Sequence, residues 1–315
     1  MRLLADVGGT NVRFAWQTAS GAALMDIESY RCADFLSLQA AIEHYLVSHV
    51  SVKPVVCAIG IANPVLGDQV QMTNHHWAFS ISALQAALNL ERLRVINDFT
   101  ALALALPHLQ PGDLHPVGGG IAVPGEAMAL VGPGTGLGVS GLLPGADQRW
   151  TPIRGEGGHV SLAAANALEF EVVDWLNRRF GHASAERVLS GPGLVNLHDA
   201  LSEIQGQKPE PVQPAFIVSQ AIANPAGLCV ETVQMFCAFL GSVAGDLALT
   251  LGARGGLFLG GGILPKMLGC LDSSTFRQRF ISKGRFSAYL DAIPTVVINT
   301  TVPAGLIGAA AALDG

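Results

Sequence analysis

The feature that most constrains this chain is a segment that occurs twice. LLADVGGTNVRFA from Leu3 and LVGPGTGLGVSGL from Leu130 each read as an apolar strand, a glycine turn carrying a threonine, and a second strand. Two copies of one supersecondary unit point to two related lobes. The length allows them, since 315 residues at roughly 150 per domain supply two cores.

Around these turns the chain alternates strand and helix. Leu3–Ala5, Val12–Trp16, Val55–Ile61 and Leu93–Ile96 read as strands, the third a continuous apolar run suited to burial. Helical spacing covers a segment capped by Asp34 and running through His49, with Phe35, Leu38, Ile42, Tyr45 and Leu46 in phase. Ser80–Leu90 and Phe99–Leu106 repeat the helical pattern. Pro107–Pro124 is rich in Pro, Gly and His with little periodicity, and a domain boundary is placed there. Helices are then expected at Ala165–Phe180, Gly193–Ile204 and Cys229–Leu251, and a strand at Leu257–Leu259. A small-residue helix follows at Pro303–Leu313, with proline in its first turn. The alternation gives an α/β class.

Composition excludes several functions. Charged residues are 13 % and the net charge is −6, so the basic stripe of a nucleic-acid binder is missing. With half the chain apolar, disorder is excluded. The mean hydropathy of +0.42 raises the membrane question. Two stretches lack charge, Ala127–Ala146 and Ala292–Leu313, but glycines and prolines break the first and polar residues and prolines the second. Asp6 follows three apolar residues, too few for a signal-peptide core. A soluble protein is expected. Five cysteines without a C-x-x-C pair point to a reducing, cytoplasmic setting.

Several motifs carry chemistry. In Asp6-Val7-Gly8-Gly9-Thr10-Asn11 the glycines permit close backbone approach and successive N–H groups form an anion nest, while the carboxylate can orient the waters of Mg²⁺. An ordinary Asp/Gly hairpin is the plain alternative. Gly132-Pro133-Gly134-Thr135-Gly136-Leu137-Gly138 is the second such turn. Gly136 to Gly141 also matches G-x-G-x-x-G, but that fingerprint must open a helix and Pro144-Gly145 follow at once, so a Rossmann site is rejected. Asn97-Asp98 falls where a strand passes into a helix, a usual ligand position in α/β sheets, although either residue also suits a helix cap. Gly155-Glu156-Gly157-Gly158-His159 is too glycine-rich for a helical metal motif, and an exposed Glu and His suit hydroxyl recognition.

Taken in order, DVGGTN, NDFTA from Asn97, GPGTGLG, GEGGH, ERVLSGPGL from Glu186 and the GGG before Ile263 closely resemble the bacterial glucokinase family outside the ROK group. That family lies within the sugar kinase/actin/Hsp70 superfamily. ROK kinases carry a zinc-binding C-x-C-G-x-x-G-C run, which Cys32, Cys57, Cys229, Cys237 and Cys270 do not fit. One departure from the family pattern is Ala5, where a Gly often precedes the Asp.

The resemblance implies a two-lobed α/β fold of the actin-like ATPase (ribonuclease H-like) type with a cleft that closes on sugar. Residues 1–107 with 300–315 would form the small domain and 108–299 the large one. It implies ATP-dependent phosphorylation of D-glucose at C6, the first step of glycolytic glucose use, with Mg²⁺ and a homodimer. Ala5, Asp6, Val7, Gly8, Gly9, Thr10 and Asn11 would form the phosphate loop, Asp6 holding Mg²⁺ through water. Gly132, Gly134, Thr135 and Gly136 would give the second phosphate contact, and Gly260, Gly261 and Gly262 would flank the adenosine. Asn97, Asp98, Glu156, His159 and Glu186 would bind the sugar, with Asp98, ionised near neutrality, as catalytic base. The role of Glu186 rests on the resemblance alone.

Overall fold

The computed structural model describes residues 1–49, 52–73, 75–145 and 149–315. The chain divides into two compact units. The first comprises Met1–Pro111, Gly145–Arg154 and Thr300–Gly315, and the second Gly112–Pro144 and Gly155–Asn299.

In the first unit β1 (Arg2–Val7) and β2 (Asn11–Gln17) form the hairpin, and β3 (Met25–Arg31) pairs beside β2. Next come α1 (Leu38–His49), β4 (Val56–Ile61), a ribbon of β5 (Gln69–Gln71) and β6 (Ala78–Ser80), α2 (Ile81–Ala87), β7 (Arg92–Asn97) and α3 (Asp98–Ala105). The sheet order is β3-β2-β1-β4-β7. Strands β1, β4 and β7 are parallel, and β1/β2 and β2/β3 antiparallel. Parallel strands need cover on both faces, and β1 receives it by alternation. Leu3, Ala5 and Val7 join the core with Phe14, Ile42, Tyr45 and Trp77, whereas Leu4 turns to the opposite face.

The second unit repeats the plan. It contains β8 (Leu114–Gly118), β9 (Met128–Pro133), β10 (Leu137–Pro144), α4 (Ala167–Phe180), α5 (Gly191–Ile204), α6 (Pro214–Ala223) and α7 (Leu228–Leu251). After these come β12 (Leu257–Leu259), α8 (Leu268–Asp272), α9 (Phe276–Ile281), α10 (Ser287–Asp291) and β13 (Thr295–Ile298). Hairpin β9/β10 is antiparallel, β9, β12 and β13 are parallel, and β8 closes the edge antiparallel to β13. The twice-written segment is therefore a twice-built one: a glycine hairpin whose first strand continues into two parallel neighbours.

The core of this unit surrounds α7, which contributes Phe236, Phe239, Leu240 and Ala244. This helix is long and apolar enough to cross a membrane, and more than half of its apolar stretch is buried within the fold. The charge-free stretches singled out in the sequence did not include it. Gly241 and Gly245 let α9 approach, since a Cβ on either would overlap the carbonyl of Phe276 or Phe280.

The last helix, α11 (Ala304–Ala312), returns to the first unit. Its Leu306, Ala309 and Ala310 cover Leu4, Ala15 and Ala58. Gly308 lies so close to α3 that a Cβ there would overlap the Ala101 carbonyl. Backbone cannot yield as a side chain does. Gly308→Ala is expected to destabilise the first unit by about 1–3 kcal/mol in urea unfolding, the usual range for overpacking.

Several expectations are corrected. Asp34 does not cap α1; it ends a short 3₁₀ turn, Cys32–Asp34, and Ser37 Oγ accepts the Ala40 N–H at 3.1 Å instead. Pro107–Pro124 contains strand β8, and β3 and α6 likewise form where the sequence predicts no element. Gly145–Arg154, read as part of the large domain, clusters with the first unit, where β11 (Trp150–Pro152) packs on α3. Ala146, the end of one charge-free stretch, lies outside the described residues.

Candidate active site

The first unit places two carboxylates at the same edge of its parallel strands, Asp6 on β1 and Asp98 just after β7, with β4 between them. Asp6 is the penultimate residue of β1, and the turn after it is closed by a Gly8 N–H donated to the Asn11 carbonyl at 2.9 Å. Thr10 at its tip is exposed. Among the described residues the glycines with left-handed backbone do not include those of either hairpin turn. Glycine serves here for space rather than for a special φ. Ala5 and Val7 are buried, so their side chains belong to the core and only their backbone can serve a ligand.

The hairpin register sets Arg13 opposite Asp6, and its Nη1 donates to Asp6 Oδ2 at 3.0 Å. Burial pushes the Asp6 carboxyl above its usual range, and the Arg13 charge and hydrogen bond only partly offset this. Arg13 was not among the expected site residues, although the cross-strand register from Val7↔Val12 would have found it. Cys32 was missed as well. Its N–H donates to the Thr10 carbonyl at 2.9 Å, and its thiol sits 3.5 Å from the Gly8 carbonyl, bracing the turn from behind.

At the end of β7 the roles of Asn97 and Asp98 separate. Asn97 is the cap: its Oδ1 accepts from the N–H groups of Phe99 and Thr100 at 2.9 and 3.1 Å. Its Nδ2 donates to Asp98 Oδ1 at 2.9 Å, as does the Phe99 N–H at 2.9 Å. The other oxygen, Asp98 Oδ2, is left with no hydrogen bond among the described residues. Desolvation by burial, helped by the charge on Asp6 and opposed by these hydrogen bonds, raises the Asp98 pKa to about 7. The ordinary carboxylate value implies an Asp98 ionised near neutrality, and burial corrects this to one only partly ionised at pH 7.

The second unit collects three glycine segments around its own turn. Gly134 N–H donates to the Gly136 carbonyl at 2.8 Å, and Gly191 N–H reaches the Gly134 carbonyl at 2.8 Å. Gly260 N–H donates to Val131 O at 2.9 Å, while Gly261, at φ +82°, packs on the Pro133 carbonyl where no Cβ fits. Strand β10 runs through Gly138 and Gly141, so the G-x-G-x-x-G match opens no helix. Thr135 stands exposed at the tip, as Thr10 does on the first turn.

Glu186 sits against that turn. Its Oε2 accepts the Leu137 N–H at 2.9 Å, and a Cβ on Gly136 would collide with the same carboxylate. The other oxygen, Oε1, lies 4.0 Å from His159 Nδ1. His159 ends the 3₁₀ turn Gly157–His159, which lies flat on β10 because Gly157 and Gly158 meet Val139 and the Leu137 carbonyl with no room for side chains. Glu156 precedes this turn and is exposed. Among the expected sugar ligands of this unit, Glu186 and His159 are thus in direct proximity and Glu156 is a chain neighbour. Ser184 makes no side-chain cap for the short turn that carries Glu186.

The sequence profile of the Glucokinase family matches residues 3–315. The glucokinase of Aromatoleum aromaticum is 51 % identical over 314 residues, 99 % of this chain and 94 % of that one. The crystal structure of a glucokinase from an Antarctic psychrotroph is similar with a TM-score of 0.91 at 40 % identity, covering 99 % of this chain and 98 % of its own. A ROK family glucokinase from Streptomyces griseus, solved with glucose and AMPPNP, shares the fold at a TM-score of 0.65 and 17 % identity, covering 100 % and 99 %. Matched from its third residue to its last, and at half identity to a named relative, the chain belongs to the glucokinase family.

Proposed function

We propose that this protein moves the γ-phosphoryl group of ATP to the C6 hydroxyl of D-glucose, giving glucose 6-phosphate and ADP, with Asp98 as the base. As a glucokinase-family enzyme it is an ATP-dependent glucose kinase. The observation that carries the residue assignment is Asp98 itself. One of its oxygens is pinned by Asn97 and the Phe99 amide, the other has no hydrogen bond among the described residues, and its pKa of about 7 suits a group that must accept a proton at neutral pH.

Asp98 Oδ2 takes the proton of the C6 hydroxyl, and the sugar's C6 oxygen forms the new bond to the γ-phosphorus. The bond from the γ-phosphorus to the β–γ bridging oxygen breaks, its electrons leave on ADP, and Asp98 returns its proton to solvent. Phosphoryl transfer has a loose transition state, so positioning and charge neutralisation carry the rate. Backbone N–H groups of the Gly8–Gly9 and Gly134–Gly136 turns receive phosphate oxygens, with Gly260, Gly261 and Gly262 beside the adenosine. Glu186 and His159, with Glu156, hold the remaining sugar hydroxyls. Asn97 acts mainly by fixing Asp98.

Mg²⁺ fits Asp6. Its Oδ2 is paired with Arg13 while Oδ1 carries no hydrogen bond among the described residues. No group of three metal-ligating side chains occurs among those residues; Asp6 would hold the ion through its waters, and the nucleotide's own phosphates would supply further ligands. When bound, Mg²⁺ neutralises phosphate charge. This resolves an apparent conflict in composition, since an acidic chain meets a polyanion through main-chain dipoles and a metal rather than through Lys and Arg.

The missing C-x-C-G-x-x-G-C run supports placement outside the ROK group, and the repeated hairpin supports the actin-like superfamily. Five free cysteines support a reducing, cytoplasmic setting. A homodimer is what the family resemblance implies. Initial rates across glucose, mannose and fructose at fixed ATP test the substrate. Glucose is expected to have the highest kcat/KM; faster turnover of another hexose would reassign it, and sugar binding without turnover would make the protein a sensor.

A further inference from the structure

We propose that Gly305, on the C-terminal helix α11, is a positioning residue that sets the Asp6 carboxylate. This rests on the reading of Asp6 as the residue that serves the metal and phosphates. A Cβ built on Gly305 would stand 2.8 Å from Asp6 Cγ, 2.9 Å from Oδ1 and 3.2 Å from Oδ2. The helix backbone is therefore pressed against the whole carboxylate, including the oxygen that Arg13 leaves free.

Both parties to this contact are held. Asp6 is tethered by the 3.0 Å pair with Arg13. Helix α11 is anchored by three arginines of the same unit. Arg2 Nη2 donates to the Ala310 carbonyl at 2.9 Å and to Asp314 Oδ1 at 2.8 Å, Arg92 to Leu313 O at 2.8 Å, and Arg94 to the carbonyls of Ala312 and Gly315. These guanidinium groups satisfy the terminal carbonyls of α11 and complement its dipole. Midway along, Gly308 locks the helix to Ala101 of α3, one turn from Asp98. One clasped helix thus touches the Asp6 carboxylate and the backbone that carries Asp98.

A methyl group at 305 must displace something by several tenths of an ångström, and the short Asp6 side chain is what can move. Misplacement on this scale is felt in the rate, because an error of 1 Å in a reacting array can cost about 100-fold. Gly305→Ala is expected to lower kcat about tenfold or more and to raise the Mg²⁺ concentration for half-maximal rate. The KM for glucose should stay within twofold.

The test compares wild type, Gly305→Ala, Asp6→Ala and the double variant by steady-state kinetics and by melting temperature. In the Asp6→Ala background the obstructing carboxylate is gone, so adding Gly305→Ala should change neither the residual rate nor the melting temperature. If Gly305→Ala alone does not fold but the double variant does, the contact with Asp6 is confirmed as the obstacle. The proposal is overturned if Gly305→Ala keeps kcat within twofold of wild type, if it lowers the rate by the same factor with and without Asp6, or if neither variant folds. A wild-type rate for Asp6→Ala alone overturns the reading of Asp6, a result seen without any change at 305.

Discussion

Asp98→Asn will fold, gain stability at neutral and alkaline pH, and lose turnover by about 10²–10⁴-fold, the usual contribution of a positioned base. The amide keeps what holds the side chain, since its oxygen still accepts from Asn97 Nδ2 and the Phe99 N–H. It removes only the oxygen that takes the proton. The stability gain follows from the raised pKa. Between 3.8, the ordinary value, and about 7 the native protein binds a proton that the unfolded chain does not. Stability therefore falls as pH rises through that window and stays low above it. The asparagine variant has no such loss, so its melting temperature relative to wild type should climb from pH 4 to 7 and then level. The same group gives the wild-type rate its pH dependence: kcat/KM for glucose, which reports the free protein, should drop about tenfold per unit below pH 7. A kcat/KM flat from pH 5.5 to 8, or an Asp98→Asn variant with near-normal turnover, would remove Asp98 from this role.

The second large effect lies away from the chemistry. Glu169, on α4, is 2 % exposed, and Arg279 of α9 grips both its oxygens, the Oε2 contact at 3.0 Å. The Ala165 N–H and Asn166 Nδ2 add hydrogen bonds at 2.8 and 2.9 Å, and Ser242 Oγ orients the guanidinium. Burial alone would raise the Glu169 pKa, but the Arg279 and Ala165 hydrogen bonds and the Arg279 charge outweigh it and the net shift is downward. Arg279→Met leaves that carboxylate buried without its partner and should cost about 3–5 kcal/mol in chemical unfolding. Adding Glu169→Gln should recover most of the loss, because the uncompensated charge is what destabilises. For the wild type a lowered folded pKa means that the pair stabilises fully above the unfolded value of 4.5 and ceases to as pH falls through the folded one. An Arg279→Met variant within 1 kcal/mol of wild type would contradict this account.

What the sequence made legible is what local chemistry decides. Both glycine hairpins and the strand-to-helix step at Asn97 follow from turn and cap preferences over a few residues, whereas the short 3₁₀ turn at Gly157–His159 falls in a segment expected to be a glycine loop. The elements that escaped lack a periodic apolar signal. Strand β3 is an edge strand with nearly every residue exposed, and β8 carries Pro116 in a position only an edge tolerates. Ser37 displaced Asp34 as the cap because a short 3₁₀ turn intervenes. In the site, the identity of Asp6 and Asp98 was readable, but their states were not. Burial by residues far along the chain raises Asp98, and register brings Arg13 to Asp6. Gly305 and Gly308 read only as members of a small-residue helix, because what they touch lies some 200 to 300 positions earlier.

The most direct test of the whole account is the identity of the product. Incubating the purified protein with carbon-13 glucose, ATP and Mg²⁺ and recording phosphorus-coupled carbon spectra should give one phosphorylated sugar, coupled at C6, in equal amount to ADP. A phosphate at C1, or ADP formed with inorganic phosphate and unchanged glucose, would contradict it.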